Sequence, residues 1–191
     1  FEWIVYLLNH YGTWFLRGIV TTLLISLTGT VIGFLIGLAL GSVKKIPPSR
    51  NKIKHFFMKV VNFIITCYVE VFRGTPMMVQ AIIIYFGMQE FFSIDFSPTV
   101  AGMLIVSINT GAYMVEVVRG GIESVDPGQM EAPKAIGMSH GQAMWHIILP
   151  QTIRNILPAT GNEFIINIKD TSVLNVISVT ELFFVTKSIK G

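Results

Sequence analysis

The chain has 191 residues, 52% of them hydrophobic and 13% charged, with 14 Lys and Arg against 11 Asp and Glu. Soluble domains carry about 25% charged residues, so this composition excludes a disordered chain, a basic nucleic-acid-binding module and an ordinary cytosolic enzyme. It points to an all-α membrane protein, in which the net charge of +3 orients loops rather than attracting nucleic acid.

A membrane-spanning helix takes about 20 apolar residues, so the length admits roughly four to six spans. Residues 1–12 mix Trp3, Tyr6 and Tyr11 with Glu2 and His10. They read as an N-terminal interfacial segment or equally as a frayed terminus. The chain begins with Phe1 and shows neither a basic n-region nor a small-residue cleavage site, so no signal peptide is expected. Gly18 to Val43 holds no charged residue and forms the first span. Gly29, Gly33, Gly37 and Gly41 recur at every fourth position, which predicts a small-residue packing face.

Lys44-Lys45-Ile46-Pro47-Pro48 ends that helix. From 44 to 59 come Lys44, Lys45, Arg50, Lys52, Lys54 and Lys59 with no acid, which makes residues 44–55 a cytoplasmic basic loop. Phe56 to Phe92 is apolar but interrupted by Glu70 and by Arg73-Gly74-Thr75-Pro76. Two short spans or one broken helix would fit. The following stretch, with Glu90, Asp95 and no Lys or Arg, reads as external, and 119–154, with Arg119, Lys134 and Arg154, reads as cytoplasmic. One discontinuous helix satisfies both loops. Cys67, the single cysteine, lies in this run and reads as a small buried side chain.

Pro98 to Val118 forms the next span, and residues 119–150 are too polar to cross; they hold the turn signal Asp126-Pro127-Gly128 and then a short amphipathic helix. Ile147 to about Val179 crosses back outward, and 180–191 is mixed. The result is four crossings in a single domain, 1–191, with no internal repeat.

Charges at bilayer depth are usually paired or line a pathway. Glu70 and Arg73, three apart, flank the break. Broken helices supply substrate sites in transporters, and a structural ion pair is the alternative. Glu163 and Asp170, seven apart, share a face suited to a cationic or zwitterionic ligand, or they pair with Arg73 or Lys169. Asn109, Tyr113 and Glu116 form one polar stripe, either interhelical hydrogen-bonding residues or ligand contacts. Arg17, Lys187 and Lys190 sit near span ends, where long basic side chains snorkel.

No catalytic constellation, Walker loop or metal spacing appears; His140 and His146 are six apart and read as solvated. A membrane enzyme would need a nucleophile or metal set, and none is found. A passive channel would conduct without nucleotide and leaves the long polar segment unexplained.

Glu131-Ala132-Pro133-Lys134-Ala135-Ile136-Gly137, followed by Ile147-Ile148-Leu149-Pro150, resembles the EAA loop of ABC-transporter permeases. Its flanks resemble the polar amino-acid (histidine, arginine and glutamine) branch: Phe72-Arg73-Gly74-Thr75-Pro76 with Gln80, Asn109-Thr110-Gly111-Ala112-Tyr113 with Glu116, Ser124 to Gln129, and Asn162-Glu163 through Ser172. The likeness runs from about Gly18 to Ser188.

This resemblance implies a type I ABC importer permease fold with a five-helix core, paired as a homo- or heterodimer in the bacterial cytoplasmic (inner) membrane. It implies a pair of ATP-binding subunits and an extracytoplasmic amino-acid-binding protein. ATP and Mg would be bound by the partner ATPase, and this chain would carry no cofactor. The loop would couple through Glu131, Ala132, Gly137, Leu149 and Pro150, with Gly137 allowing a tight turn. Glu70, Arg73, Glu163 and Asp170 match the family's substrate contacts, Arg73 toward the carboxylate and the acids toward an amino group or basic side chain. Pro133 departs from the pattern. The helix is expected to start near Glu131, which places Pro133 in the first turn, where Pro is tolerated; an earlier start would kink the coupling helix. The family's last membrane helix would follow Gly191.

Overall fold

A computed structural model describes residues 2–49 and 51–190. Arg50, counted above in the basic loop, lies outside them, as do Phe1, Gly191 and the side chain of Lys190.

Helix α1 (Glu2–Val43) is continuous over 42 residues, about 63 Å at 1.5 Å per residue. The first dozen residues are therefore its opening turns and not a separate element. Nothing there breaks a helix, and aromatic neighbours one turn apart pair along it. Tyr6 stacks on His10 with centroids 4.1 Å apart, and Tyr11 meets Trp14 edge-on at 6.2 Å.

Helix α2 (Lys52–Gly74) starts at Asn51, whose side chain accepts from the Ile53 N–H at 3.0 Å. Thr75 and Pro76, both extended, separate it from α3 (Met77–Phe92). The break thus falls where Gly74 and Pro76 predict. Helix α2 is long and apolar enough to cross a membrane by itself, whereas α3 is shorter. Cys67 is exposed, not buried, because it lies off the face of α2 that packs inward through Val61, Ile65, Tyr68 and Val69.

Helix α4 (Pro98–Glu123), capped by Ser97, is the central element and is buried on almost every turn. The four glycines of α1 face it. Gly29, Gly33, Gly37 and Gly41 oppose Val106, Thr110, Met114 and Val118, also spaced by four. A Cβ at Gly33 would lie 2.7 Å from the Thr110 Cβ, and one at Gly41 2.9 Å from that of Val118. The backbones approach this closely only because no side chain intervenes.

Two short helices, α5 (Gly128–Ala135) and α6 (His140–Ala143), precede a π-helical turn at Met144–Ile148. Helix α7 (Leu149–Asp170) passes into a 3-10 turn, Thr171–Ile177, and α8 (Leu182–Lys190) follows after a 58° bend. Ile25, Ala81, Ile105, Val106, Leu174 and Val179 join α1, α3, α4 and the 3-10 turn in one core. Three described helices are long and apolar enough to span, or four if the bent pair is one span. The four crossings read from sequence sit at that upper count.

Candidate functional site

A cavity of about 500 Å³ opens where the α2–α3 break meets α4 and α7. Thr75, Pro76 and Met78 line it from the break, Asn109 and Tyr113 from α4, and Glu163 and Asp170 from α7. Of the seven sequence-picked substrate candidates, four therefore converge on one space. The spacing explains how: residues 109 and 113 are one turn apart and 163 and 170 two turns apart, so each pair faces one way. Glu163 and Asp170 are half-buried, and among the described residues neither is ion-paired. Lys169 is exposed.

Arg73 stands beside this space, its guanidinium carbon 5.4 Å from the centroid of the Tyr113 ring, a cation–π distance. Glu70 is exposed and forms no ion pair with Arg73 among the described residues. Glu116 lies elsewhere. It accepts from Lys44 Nζ at 3.1 Å and Arg119 Nε at 2.8 Å, and Arg119 continues to Glu123, which also holds Lys45. Seven residues advance a helix by about 10.5 Å, which carries Glu116 away from Asn109 and beside the basic end of α1.

Sequence reading passed over two cavity neighbours. Asn167 is buried and ties three helices, accepting from Thr110 Oγ1 at 3.1 Å and donating to Thr30 Oγ1 at 2.9 Å. Gln80 follows the Phe72-Arg73-Gly74-Thr75-Pro76 motif by four residues. Its Nε2 donates to the Phe72 and Thr75 carbonyls, both at 2.9 Å, and its Oε1 accepts from Asn109 Nδ2 at 2.9 Å. An amide within an apolar span was the available signal for both. Glu181, also unremarked, is 1% exposed and accepts from the Phe183 and Phe184 N–H groups at 2.8 and 2.7 Å, so it caps α8.

The polar segment forms a helical hairpin. Helix α5 begins at Gly128, three residues earlier than expected from Glu131. Asp126 Oδ1 accepts from the Gly128 N–H at 2.7 Å and Pro127 is already helical, so the turn itself nucleates the helix. Pro133 consequently falls inside α5, beyond its first turn. Gly137 adopts φ +89° and, with Met138, closes the helix by bonds to the Lys134 and Pro133 carbonyls, both at 3.0 Å. Ser139 and Gln142 then cap α6 reciprocally. Glu131 and Ala132 are exposed on α5, Pro150 is exposed at the start of α7, and Leu149 is buried. His140 is half-buried with both ring nitrogens shielded, not solvated as its sequence context implied. Ile136 and Trp145 present exposed apolar surface at 81% and 67%.

The family model "binding-protein-dependent transport system inner membrane component" matches residues 53–189. The chain belongs to this family. The permease is 37% identical over 168 residues to the glutamine transport system permease protein GlnP of Escherichia coli K12, covering 87% of this chain and 72% of the relative. It is 35% identical over 167 residues to the arginine transport system permease protein ArtQ of Bacillus subtilis, with the same coverages. A solved amino acid ABC transporter containing histidines superposes with a TM-score of 0.77 at 37% identity, covering 96% of this chain and 80% of that one. The MetNI methionine ABC transporter superposes equally well, TM-score 0.77, at 17% identity and so attests the fold alone. The permease is a transport component with the type I ABC importer fold.

Proposed function

We propose that this permease carries a polar amino acid, preferentially a basic one, inward across the bacterial cytoplasmic membrane as the non-catalytic subunit of an ATP-driven importer. A second permease subunit completes the pathway, an extracytoplasmic binding protein delivers the amino acid, and a separate pair of ATPase subunits hydrolyses ATP. The amino-acid assignment is supported by the relatives, whose names give glutamine and arginine.

The observation that carries the substrate class is the cavity at the helix break, with two half-buried carboxylates that have no cation of their own among the described residues. An uncompensated carboxylate in a low-dielectric site is costly, and an ammonium or guanidinium group would offset that cost on binding. Arg73, at the edge of the cavity, suits the substrate carboxylate. Glu70 contributes at most from outside, and Glu116 serves the ion network between α1 and α4.

The hairpin α5–α6 supports a coupling role for Glu131, Ala132, Gly137, Leu149 and Pro150. Pro150 starts α7, whose far half holds Glu163 and Asp170, so a displacement of the hairpin has a single helix, with Pro158 in its interior, by which to reach the cavity. The exposed Ile136 and Trp145 suit a protein partner on this face.

The test is ATP hydrolysis by the complete permease with its ATPase in liposomes, measured across an amino-acid panel with the binding protein present. Stimulation by arginine, lysine or histidine is expected. Stimulation by glutamine alone would overturn the preference for basic substrates, and stimulation by none would overturn the amino-acid reading.

A further inference from the structure

We infer that Gln80 is a positioning residue that holds the helix break in its binding geometry by replacing the backbone N–H that Pro76 lacks. The inference rests on the amino-acid permease reading above. In an unbroken helix the N–H of residue 76 would bond to the carbonyl of Phe72. Proline has no N–H, and Pro76 turns extended at φ −63°, ψ 135°. The Phe72 carbonyl is thereby orphaned inside an apolar protein, where an unmet acceptor is destabilising.

Gln80, one turn into α3 and 6% exposed, supplies the missing donor. Its Nε2 sits 2.9 Å from the Phe72 carbonyl, the Thr75 carbonyl and the Thr75 hydroxyl. The reversed amide would set an oxygen against three oxygens, so the orientation is determined by its surroundings. Its Oε1 then faces Asn109, which donates to it at 2.9 Å and to the Phe72 carbonyl at 3.3 Å.

Both Asn109 N–H groups are thus committed to the break. The Thr75 hydroxyl donates to the Val71 carbonyl at 2.7 Å. The polar atoms that Asn109 and Thr75 leave for the cavity are acceptors, alongside the carboxylates of Glu163 and Asp170. Apart from the Tyr113 hydroxyl, the polar side chains that line the cavity offer it acceptors, which select a ligand group rich in donors, an ammonium or guanidinium. Gln80 does not line this cavity; it acts by orienting Asn109 and fixing the break.

The experiment measures equilibrium binding of labelled L-arginine to the purified permease–ATPase complex without binding protein, together with the thermal unfolding midpoint. Gln80→Leu is expected to raise Kd by roughly tenfold or more with the number of sites per folded complex unchanged. A purely structural role would lower the number of sites and leave Kd alone. Gln80→Glu, nearly isosteric but without the donor when ionised, is expected to raise Kd as Gln80→Leu does. Adding Pro76→Ala to Gln80→Leu restores a backbone N–H at position 76. It is expected to recover the unfolding midpoint while Kd stays high, because Asn109 remains unanchored. Should Gln80→Leu fail to assemble, Gln80→Glu and the double variant carry the same comparison. Parental Kd in Gln80→Glu, or a double variant no more stable than Gln80→Leu, would overturn the role of Gln80 alone. No binding of L-arginine by the parent complex would overturn the basic-substrate site reading and this inference together.

Discussion

Glu163 and Asp170 show how charge and position separate at the level of single residues. Both are half-buried beside one cavity and neither is ion-paired among the described residues. A hydrogen bond to a charged partner contributes about 1.5–3 kcal/mol. Glu163→Gln and Asp170→Asn are therefore each expected to weaken arginine binding by about tenfold or more, without lowering the unfolding midpoint. Equilibrium binding and thermal melts of the same preparations check this. Glu116 makes the contrasting case. Its partners Lys44 and Arg119 are partly exposed, and such pairs are worth roughly 0–1 kcal/mol. Glu116→Gln is expected to leave arginine affinity at the parental value. A tenfold loss there would return Glu116 to the substrate site. The sequence could single out all three acids because each interrupts an apolar run. It could not sort them, because a stripe at i, i+4, i+7 says nothing about the basic end of another helix 72 residues away.

Among the elements, the α1–α4 pair and the hairpin α5–α6 each depend on a glycine for a different reason. Gly37 sits against the backbone of Met114 at a distance that leaves no room for a Cβ, whereas Gly12 has open space around it. Gly37→Val is expected to destabilise by about 1–3 kcal/mol, and Gly12→Ala is expected to be neutral or slightly stabilising. Thermal unfolding of the two variants side by side reads the difference. Gly137 instead carries φ +89°. Gly137→Ala is expected to cost about 1 kcal/mol and to shift α6, with Ser139 and its cap, relative to α5. The four-residue glycine spacing made the first face legible, since in lipid close packing is what such a pattern serves. The start of α5 was misplaced by three residues because Asp126-Pro127-Gly128 reads as a turn. In the fold that same turn, with Asp126 accepting from Gly128, is the first capping contact of the helix.

At the scale of the whole molecule, the cavity and the hairpin lie at opposite ends of α7. Glu131→Ala is therefore expected to abolish most amino-acid stimulation of ATP hydrolysis while arginine affinity stays parental. Hydrolysis assays and binding on one reconstituted complex check the separation, and full stimulation in that variant would remove Glu131 from coupling. The membrane class, the apolar spans, the break beside Pro76 and a polar segment between the last two spans were determined by the sequence alone. Each follows from local rules: apolar length, charge distribution, and the donor that proline lacks. Tertiary structure decided which polar residues meet. Gln80 and Asn109 are 29 residues apart and Thr30 and Asn167 are 137 apart, yet each pair shares a hydrogen bond. No pattern along the chain encodes those meetings. They depend on the rotation and depth of packed helices, which the glycine face of α1 and the buried turns of α4 set together.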